Sequence, residues 1–370
     1  MSKVKLGEVA IEHKETCKSS KDGYPIVGLE HLVPEEVTLT AWDEGSDNTF
    51  TKMFRKGNIL FGRRRAYLKK AAVAPFDGIC SGDITVIEAI PDRILPELLP
   101  FIIQNDDLFD FAVGKSAGSL SPRVKWEHLK NYEFELPDMD KQRELAELLW
   151  AMDATKKSYQ KLIAATDELV KSQFMELFFV ADKYQLVPVN SMVDRKIRKK
   201  KDISEEFEVI RYIDISSIDN QSKRVTGYVE FTIDEAPSRA QQVLKKGDIL
   251  ISTVRPNLQN IAVNPYSEEN VVASTGFCVL RCKKCLPEYI WGVITSEAFT
   301  KAMCEQASGI SYPAVRDSDI LQYLIPDAPV ELQEQFAAFV RQSDKSKYTA
   351  SYAMRLEIKN NTIVKGWNGA

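Results

Sequence analysis

Residues 57–74 read GNILFGRRRAYLKKAAVA, and residues 247–264 read GDILISTVRPNLQNIAVN. The two stretches align without a gap, 190 positions apart (247 − 57 = 190). They share identical residues at Gly57/Gly247, Ile59/Ile249, Leu60/Leu250, Arg65/Arg255, Leu68/Leu258, Ala72/Ala262 and Val73/Val263. A separation of about half the chain is too long for a solenoid repeat, so it predicts two copies of one domain. Two similar domains in turn suggest a ligand with two similar, separated parts.

The similarity extends beyond these two stretches. At a separation of 191, residues 121–124 (SPRV) match residues 312–315 (YPAV), and residues 142–149 (QRELAELL) match residues 333–340 (QEQFAAFV). Between these matches the separation drifts, as expected of loops that tolerate insertions. Each half therefore has the same order: a globular segment, a proline, and then a helix with periodic apolar residues.

Composition indicates an ordinary globular protein. A chain of 370 residues is long enough for two or more domains, and 44% hydrophobic with 28% charged residues is a common balance. No run approaches the 18 apolar residues of a membrane span, and the first residues lack the apolar centre of a signal peptide. A cytoplasmic location is the resulting expectation.

Four of the six cysteines lie close together in the sequence. Cys282 and Cys285 have CxxC spacing, Cys278 lies four residues earlier, and Cys304 is a possible fourth ligand. A zinc site is one interpretation. Reduced thiols are the favoured one because no second CxxC pair is present, so we expect no metal.

The net charge of −4 argues against nonspecific binding to polyanions, but positive charge is concentrated in both halves. The run from Arg195 to Lys201 holds six positive charges in seven residues, and Arg63-Arg64-Arg65 is followed by Lys69 and Lys70. One such run is commonly a solvated surface loop. Clusters in both halves favour local contact with phosphates.

The globular segments mix short strands with helices, which predicts an α+β fold. Residues 84–87 (ITVI) form a β-branched strand candidate, and apolar spacing predicts a helix over 96–111 followed by a polar loop over 114–122. The second half repeats this plan, with strands near 271–273 and 277–280, a helix over 288–305 and a loop over 308–313.

Two long helices follow the globular segments. No Gly or Pro occurs between residues 138 and 187, so a helix is predicted from Met139 to about Leu177, and a second from Pro329 to about Lys359. The apolar stripe at alternating spacings of three and four, or at multiples of four, comprises Leu145, Leu148, Met152, Tyr159, Leu162 and Leu169, and then Phe336, Val340, Tyr348 and Tyr352. Antiparallel packing of the two helices against each other is favoured over packing of each stripe on its own domain.

Catalytic motifs are not found in the sequence. Asn264-Pro265-Tyr266 has only one of the two prolines of an amino-methyltransferase motif, and Gly114-Lys115-Ser116 lacks the upstream glycine of a phosphate-binding loop. Three scattered histidines offer no triad or metal cluster. The chain is therefore predicted to be non-catalytic.

The doubled order of domain and helix resembles the specificity subunit of type I restriction–modification systems. The resemblance is carried by residues 57–60 with Arg65, by residues 247–250 with Arg255, and by the loops ending at Pro122 and Pro313. It implies two target-recognition domains, residues 1–137 and 180–327. It also implies two conserved spacer helices, residues 138–179 and 328–370, that form an antiparallel coiled coil.

The resemblance also implies a function and partners. Each domain would read one half of a bipartite, asymmetric double-stranded DNA site, and the coiled coil would set the spacing and dock two modification (methyltransferase) subunits. No cofactor is expected on this chain. S-adenosylmethionine is expected on the modification subunits, and ATP and Mg on restriction (motor-nuclease) subunits that can join the complex.

Polar residues in the loops of both halves are the predicted DNA contacts, since Arg, Lys, Asn and Gln read base edges and hydroxyl groups hold phosphates. The candidates are Arg63, Arg64, Lys69, Lys115, Ser116 and Ser119 in the first half, and Lys196, Arg198, Lys199, Lys200, Gln259, Asn260, Ser308 and Tyr312 in the second. Arg65 and Arg255 lie beside a core strand, and a structural role and a DNA contact are equally compatible with that position. Two alternatives remain: a non-catalytic coiled-coil scaffold joining two protein-binding domains, and a stand-alone two-headed transcription regulator.

Overall fold

The computed structural model describes residues 2–18, 21, 23–45, 49–179, 183–194, 196–309 and 312–360, with side chains described as far as residue 352. The chain divides into two compact units. Unit 1 comprises the described residues of 1–161 and 350–360, and unit 2 those of 162–349. Among the described residues, no helix is long and apolar enough to cross a membrane.

Unit 1 is a mixed α+β domain with three small sheets. The strands are β1 Ser2–Lys5, β2 Ala10–Glu12, β3 Ile26–Val27, β4 Lys52–Phe54, β5 Ile59–Gly62, β6 Ala71–Val73, β7 Gly78–Cys80, β8 Ile84–Ala89 and β9 Glu133–Leu136. They form a four-stranded sheet in the order β2-β8-β5-β6, a three-stranded sheet in the order β3-β7-β4, and the pair β1-β9. The helices are α1 Leu6–Val9, α2 Leu99–Ile103, α3 Asp106–Gly114, α4 Trp126–Leu129 and the first part of α5 Met139–Phe178, with a 3₁₀-helix at Ala66–Leu68.

Unit 2 repeats this plan with additional strands. The strands are β10 Leu186–Pro188, β11 Val193–Asp194, β12 Val209–Ile213, β13 Ile218–Asp219, β14 Arg224–Val225, β15 Val229–Thr232, β16 Ala240–Val243, β17 Ile249–Ser252, β18 Ile261–Val263, β19 Val271–Ser274, β20 Phe277–Cys282 and β21 Leu324–Pro326. They form sheets with the orders β11-β20-β17-β18-β14-β13, β15-β12-β19-β16 and β10-β21. The helices are the end of α5, then α6 Pro287–Ile294, α7 Glu297–Gln306, α8 Asp317–Gln322 and α9 Val330–Asn360, with 3₁₀-helices at Val189–Ser191, Lys200–Asp202, Ile215–Ser217 and Pro256–Leu258.

The central strands of the two units have the same register. In unit 1, Leu60 on β5 lies opposite Ala72 on β6 and Val86 on β8. In unit 2, Leu250 on β17 lies opposite Ala262 on β18 and Val279 on β20. All four residues of β5 and of β17 are buried, which accounts for their continuous apolar sequence. The predicted α+β fold with an internal repeat is confirmed.

The shared glycine of the repeat has a conformational reason. Gly57 has φ +88° and Gly247 has φ +87°, in the left-handed region that glycine enters without steric cost. The next residue closes each turn with its side chain, because the Asn58 amide oxygen accepts from the Arg55 N–H at 2.8 Å and an Asp248 carboxylate oxygen from the Lys245 N–H at 2.7 Å.

The single helices predicted over 96–111 and 288–305 are each two helices. Asn105 caps α3, since its side chain accepts from the Asp107 N–H at 3.1 Å. Ser296 caps α7 in the same way through the Phe299 N–H at 3.1 Å. A polar side chain that satisfies free N–H groups starts a new helix, although the apolar spacing continues through it.

A buried glutamine fixes the start of each long helix. In unit 1, Gln142 is 1% exposed, its amide oxygen accepts from the Leu95 N–H at 2.8 Å, and its amide nitrogen donates to the Pro137 carbonyl at 2.9 Å. In unit 2, Gln333 is 1% exposed and forms the same pair of bonds with Leu286 and Ala328, at 2.9 and 2.8 Å. These bonds orient each helix on its own globular segment.

Within unit 2, α5 and α9 pack against each other in opposite directions. The Phe174 and Phe336 ring centroids lie 5.3 Å apart, and the Lys347 ammonium lies 2.9 Å from the Asp167 carboxylate. The contacts pair later residues of α5 with earlier residues of α9, as antiparallel helices require. In unit 1, however, Leu145 and Leu149 of α5 are part of the domain core, so the alternative of packing on the helix's own domain holds for that part.

The predicted stripe is wrong in register over much of its length. Leu145 and Phe336 are buried, and Met152, Tyr159 and Val340 are half-buried. The other predicted positions are exposed, namely Leu148, Leu162, Leu169, Tyr348 and Tyr352. The inward face instead includes polar groups such as Gln142 and Asp153, together with Phe174 and Phe178. Counting apolar residues alone therefore placed the stripe about one residue, or roughly 100°, away from the buried face.

Candidate nucleic-acid interface

In each unit, the segment after the central strand pairs with a polar loop. The strand and the helix that precedes the loop are β5 and α3 in unit 1, and β17 and α7 in unit 2. We name residues 63–69 with 115–124 the first loop pair, and residues 253–259 with 308–315 the second loop pair, of which 310 and 311 lie outside the described residues. In the first, the Val124 N–H donates to the Arg63 carbonyl at 3.0 Å; in the second, the Val315 N–H donates to the Thr253 carbonyl at 2.9 Å. The same backbone frame therefore occurs in both units.

The first loop pair and its flanks hold six predicted contact residues. Arg64 donates to the Ser121 hydroxyl at 3.0 Å, and the Lys69 ammonium lies 2.7 Å from Asp106 at the start of α3. The Ser116 hydroxyl donates to the Ala112 carbonyl at 2.8 Å. Lys115 and Ser119 are exposed, and Arg63 is half-buried with its Nε lacking a hydrogen-bond partner among the described residues.

The second loop pair holds three more predicted residues, Gln259, Ser308 and Tyr312, and Asn260 directly follows its first segment. The Gln259 amide nitrogen donates to the Thr300 hydroxyl of α7 at 2.6 Å. Asn260 is half-buried, and Ser308 is exposed. Tyr312 is 69% exposed, and the Arg255 guanidinium lies 4.7 Å from its ring centroid.

The basic run lies elsewhere in unit 2, beside β16. The Val243 N–H donates to the Arg198 carbonyl at 2.9 Å, and Lys199 forms a bridge with Gln242. Arg198 is paired with Glu206 at 2.7 Å, and the Lys200 ammonium donates to the Ile233 carbonyl at 2.9 Å. Lys196 and Lys199 are exposed, and Arg195 lies outside the described residues. The predicted contacts of the second half thus form two groups.

The sequence analysis did not identify two charged residues of this site, Arg123 within the first loop pair and Asp83 beside it. The Asp83 carboxylate lies 2.6 Å from Arg123 and 3.5 Å from Arg64, so three charges meet at the start of β8. The equivalent residues of unit 2 are Val254 for Arg64 (254 − 64 = 190), Gly276 for Asp83 (276 − 83 = 193) and Ala314 for Arg123 (314 − 123 = 191). The backbone confirms the equivalence, since the Arg63 N–H donates to the Asp83 carbonyl and the Thr253 N–H to the Gly276 carbonyl. The same backbone arrangement therefore holds three charged residues in unit 1 and three uncharged residues in unit 2.

The charged group makes a pH-dependent contribution that can be measured. The hydrogen bond from Arg123 lowers the pKa of Asp83, so the ionised pair stabilises the fold above the ordinary Asp pKa of about 3.9 and stops doing so as pH falls through the lower folded pKa. Because Arg123 is largely exposed, we expect Asp83→Asn to reduce the free energy of unfolding by only about 1 kcal/mol at pH 7.

The difference in unfolding free energy between wild type and Asp83→Asn should shrink as pH falls below about 4 in urea titrations. Asp92→Asn, which changes an exposed aspartate beyond the other end of β8, is the matched control and should show no such dependence. A difference that stays constant down to pH 3 would contradict the role given to the ion pair.

Possible metal ligands are few in the described part of the chain. Glu30, His31 and Asp43 have ligand atoms within 4.8 Å of one another at the surface. Cys282 and Cys285 are near neighbours whose thiols interact, while Cys278 lies on β20 opposite Ile251. Neither Cys278 nor Cys304 joins them in a group of three ligands among the described residues.

The repeat and its paired loops agree with a known family. The sequence model of the type I restriction modification DNA specificity domain matches residues 1–165 and again residues 184–360. The chain belongs to the type I restriction–modification DNA specificity family. It is a specificity subunit with two DNA specificity domains, the DNA-recognition component of such a system and not a catalytic one.

Individual relatives are distant. The type I restriction enzyme MjaVIII specificity subunit of Methanocaldococcus jannaschii is 22% identical over 354 residues, covering 86% of this chain and 75% of the relative. The type I restriction–modification S subunit of M. genitalium has a similar fold, with a TM-score of 0.56 at 14% identity over 98% of this chain and 94% of that one. A chain from a structural study of type I R-M complex assembly and conformational transition also has a TM-score of 0.56, at 19% identity over 100% of this chain and 97% of that one.

Proposed function

We propose that each unit of this specificity subunit reads one half of a bipartite, asymmetric DNA sequence, and that the loop pairs supply the reading side chains. The observation that carries this proposal is one backbone frame with two sets of side chains. Arg64, Asp83 and Arg123 in unit 1 stand where unit 2 has Val254, Gly276 and Ala314. A shared frame gives both units the same approach to the double helix, and different side chains give them different base preferences.

The chemistry of the two loop pairs favours different bases. The guanidinium group of an arginine can donate two hydrogen bonds to the O6 and N7 acceptors of guanine in the major groove. Asp83 is the common partner of Arg64 and Arg123, so both guanidinium groups are held within the first loop pair. In unit 2, the amides of Gln259 and Asn260 match adenine, and the Val254 side chain matches the methyl group of thymine. The half-site read by unit 1 is accordingly the one richer in required guanines.

The remaining predicted residues suit a different task. Lys196 and Lys199 are exposed beside β16, and ammonium groups bind phosphates as point charges. Lys115 and Ser119 are exposed in the first loop pair. These groups would anchor the DNA backbone and carry no sequence information.

Other subunits would complete the complex. Two modification subunits would bring S-adenosylmethionine and the methyltransferase chemistry, and restriction subunits would bring ATP and Mg. Large apolar side chains that stay exposed on the long helices support a docking role, because single exposed leucines are ordinary but a series along one helix is not. Leu148, Leu162 and Leu169 on α5 and Tyr348 and Tyr352 on α9 are 45–71% exposed.

The long helices would also set the distance between the half-sites. In support, α5 is one continuous helix of 40 residues. Inserting four residues near Thr155, with a matching insertion near Ser346, lengthens the pair by ~6 Å, which corresponds to about two base pairs. The methylated site should gain about two base pairs in its nonspecific gap and keep both half-sites; an unchanged gap would refute this role.

Salt dependence separates this function from that of a protein scaffold. Binding of the assembled complex to its methylated sequence should weaken steeply between about 50 and 200 mM salt, as phosphate contacts require. A flat response would favour a scaffold that joins two protein-binding domains. Binding by the isolated chain with the affinity of the complex would favour a stand-alone regulator.

A further inference from the structure

We propose that Arg65 and Arg255 are the residues that bind one backbone phosphate in each half-site, a contact common to both units. The proposal rests on the DNA-reading function described above and adds the groups that orient each unit on the double helix. These arginines occupy the same position in loops whose other polar residues differ. In the alignment of the two copies, Lys69 corresponds to Gln259 and Arg64 corresponds to Val254.

Both arginines have a backbone conformation that costs free energy. Arg65 has φ +54° and Arg255 has φ +51°, and the 3₁₀-helices that follow end in a second such pair, Lys69 at +51° and Gln259 at +48°. Apart from these four, Glu35 and Lys223 are the other non-glycine residues with positive φ in the described chain. A long side chain in this region costs on the order of 1 kcal/mol or more, whereas glycine would adopt it freely. Each unit therefore has the same conformational free-energy cost at the same position of the repeat.

The backbone around the arginines is fully engaged. The Arg65 N–H donates to the Pro122 carbonyl at 2.8 Å, and the Arg255 N–H donates to the Pro313 carbonyl at 2.7 Å. Each arginine carbonyl accepts from the residue three positions later, Leu68 or Leu258, at 2.9 Å. These bonds hold the strained conformation by means of main-chain atoms alone, so the fold does not require the guanidinium groups.

The guanidinium groups themselves are available. Arg65 and Arg255 are exposed, and neither has an ion pair or a side-chain hydrogen bond among the described residues. Arg64 and Arg123, by contrast, share Asp83. The Arg255 guanidinium lies 4.7 Å from the Tyr312 ring centroid, a cation–π contact that restricts its motion and leaves its N–H groups free to donate. A planar group with five donors matches the oxygens of a phosphate.

Because the proposed contact residue is an arginine in both units, its ligand should be a part of DNA that does not vary with sequence. The two units differ at the residues that face the bases, as an asymmetric sequence requires. A residue that is the same in both, on the same backbone, matches a feature present in both half-sites whatever their sequence. That feature is the phosphate backbone, which positions a protein without specifying sequence.

Glycine substitutions test the assignment, because they remove the guanidinium and relieve the strained φ together. In the full chain assembled with its methyltransferase subunits, Arg65→Gly and Arg255→Gly should each weaken binding on the order of tenfold, to the methylated sequence and to a scrambled duplex alike. The slope of log K against log salt should become shallower by about 0.9 for each. The melting temperature should not fall, since glycine fits the conformation better. Arg65→Lys should keep the wild-type salt slope.

Two charge-matched controls lie at the opposite end of the central sheets. Arg93→Ala beyond the end of β8 and Lys284→Ala beyond the end of β20 each remove one positive charge and should leave the salt slope unchanged. A lower melting temperature with a wild-type slope would assign the arginines to the fold, and loss confined to the methylated sequence would assign them to base reading; either result overturns the proposal. Failure of the wild-type complex to prefer any sequence would instead refute the DNA-reading function.

Discussion

Replacing Phe336 by alanine is expected to destabilise unit 2 by about 3–5 kcal/mol. Its side chain is 1% exposed, and its ring centroid lies 5.3 Å from that of Phe174 and 5.6 Å from that of Phe178. Tyr289 of α6 closes the cluster, 4.7 Å from Phe178. The truncation would leave a cavity between α5, α9 and α6 that these rigid rings cannot fill, so the lost dispersion contacts add to the lost apolar burial.

Urea unfolding of the full chain, with hydrogen exchange of the α6 and β20 amides to locate the effect, provides the measurement. Phe339→Ala is the matched control: it lies three residues later on the same helix and is only half-buried, so its cost should be less than half. Equal losses for the two variants would contradict the packing of α5 against α9 in unit 2.

Asp248→Ala is expected to have a comparable effect, about 3 kcal/mol or more, because it leaves a charge without its partner in a largely buried site. The Asp248 carboxylate is 2% exposed and accepts two hydrogen bonds from Arg281, at 2.8 and 2.7 Å, in addition to the Lys245 N–H at 2.7 Å. The hydrogen bond to Asp248 raises the pKa of Arg281, so the guanidinium group stays ionised and would be left without its partner in the alanine variant.

The repeat supplies the control for this variant. Unit 1 has Asn58 in place of Asp248 and Glu88 in place of Arg281 (281 − 88 = 193), and Glu88 pairs with His13 at 2.7 Å instead. Asp248→Asn keeps the oxygen that caps the turn, so its cost should be smaller than that of alanine. Equal costs for Asn and Ala in urea unfolding would show that the turn hydrogen bond contributes nothing, and a cost below about 1 kcal/mol for Ala would contradict the buried pair.

The repeat was predictable from sequence where the backbone itself constrains the residue. Gly57 and Gly247 are required by positive φ, and Gln142 and Gln333 by buried hydrogen bonds, so both pairs survive in copies that otherwise diverge. The long helices were predictable because no Gly or Pro interrupts them. Their buried face was not, because polar residues such as Asp153 occupy it while leucines such as Leu169 remain exposed.

The candidate site was predictable only in part. Arg64, Lys115 and Gln259 stand out as polar residues in loops near the repeated strand. The grouping of Arg64, Asp83 and Arg123 depends on three segments that are distant in sequence, and only strand register brings them together. The sequence repeat does contain one signal of this difference. When the two copies are aligned with separations of 190, 193 and 191, unit 2 has uncharged residues at all three positions.

Each unit is proposed to read its own half of an asymmetric DNA site. Methylome sequencing of cells that express the chain with its methyltransferase subunits tests this proposal most directly, with the wild type compared with Arg64→Ala/Arg123→Ala in unit 1 and Gln259→Ala/Asn260→Ala in unit 2. We expect the wild type to methylate one bipartite, asymmetric sequence. The unit 1 variant should relax the base requirement in one half only, and the unit 2 variant in the other half only. Relaxation of the same half by both variants, or an undivided methylated sequence, would contradict the account.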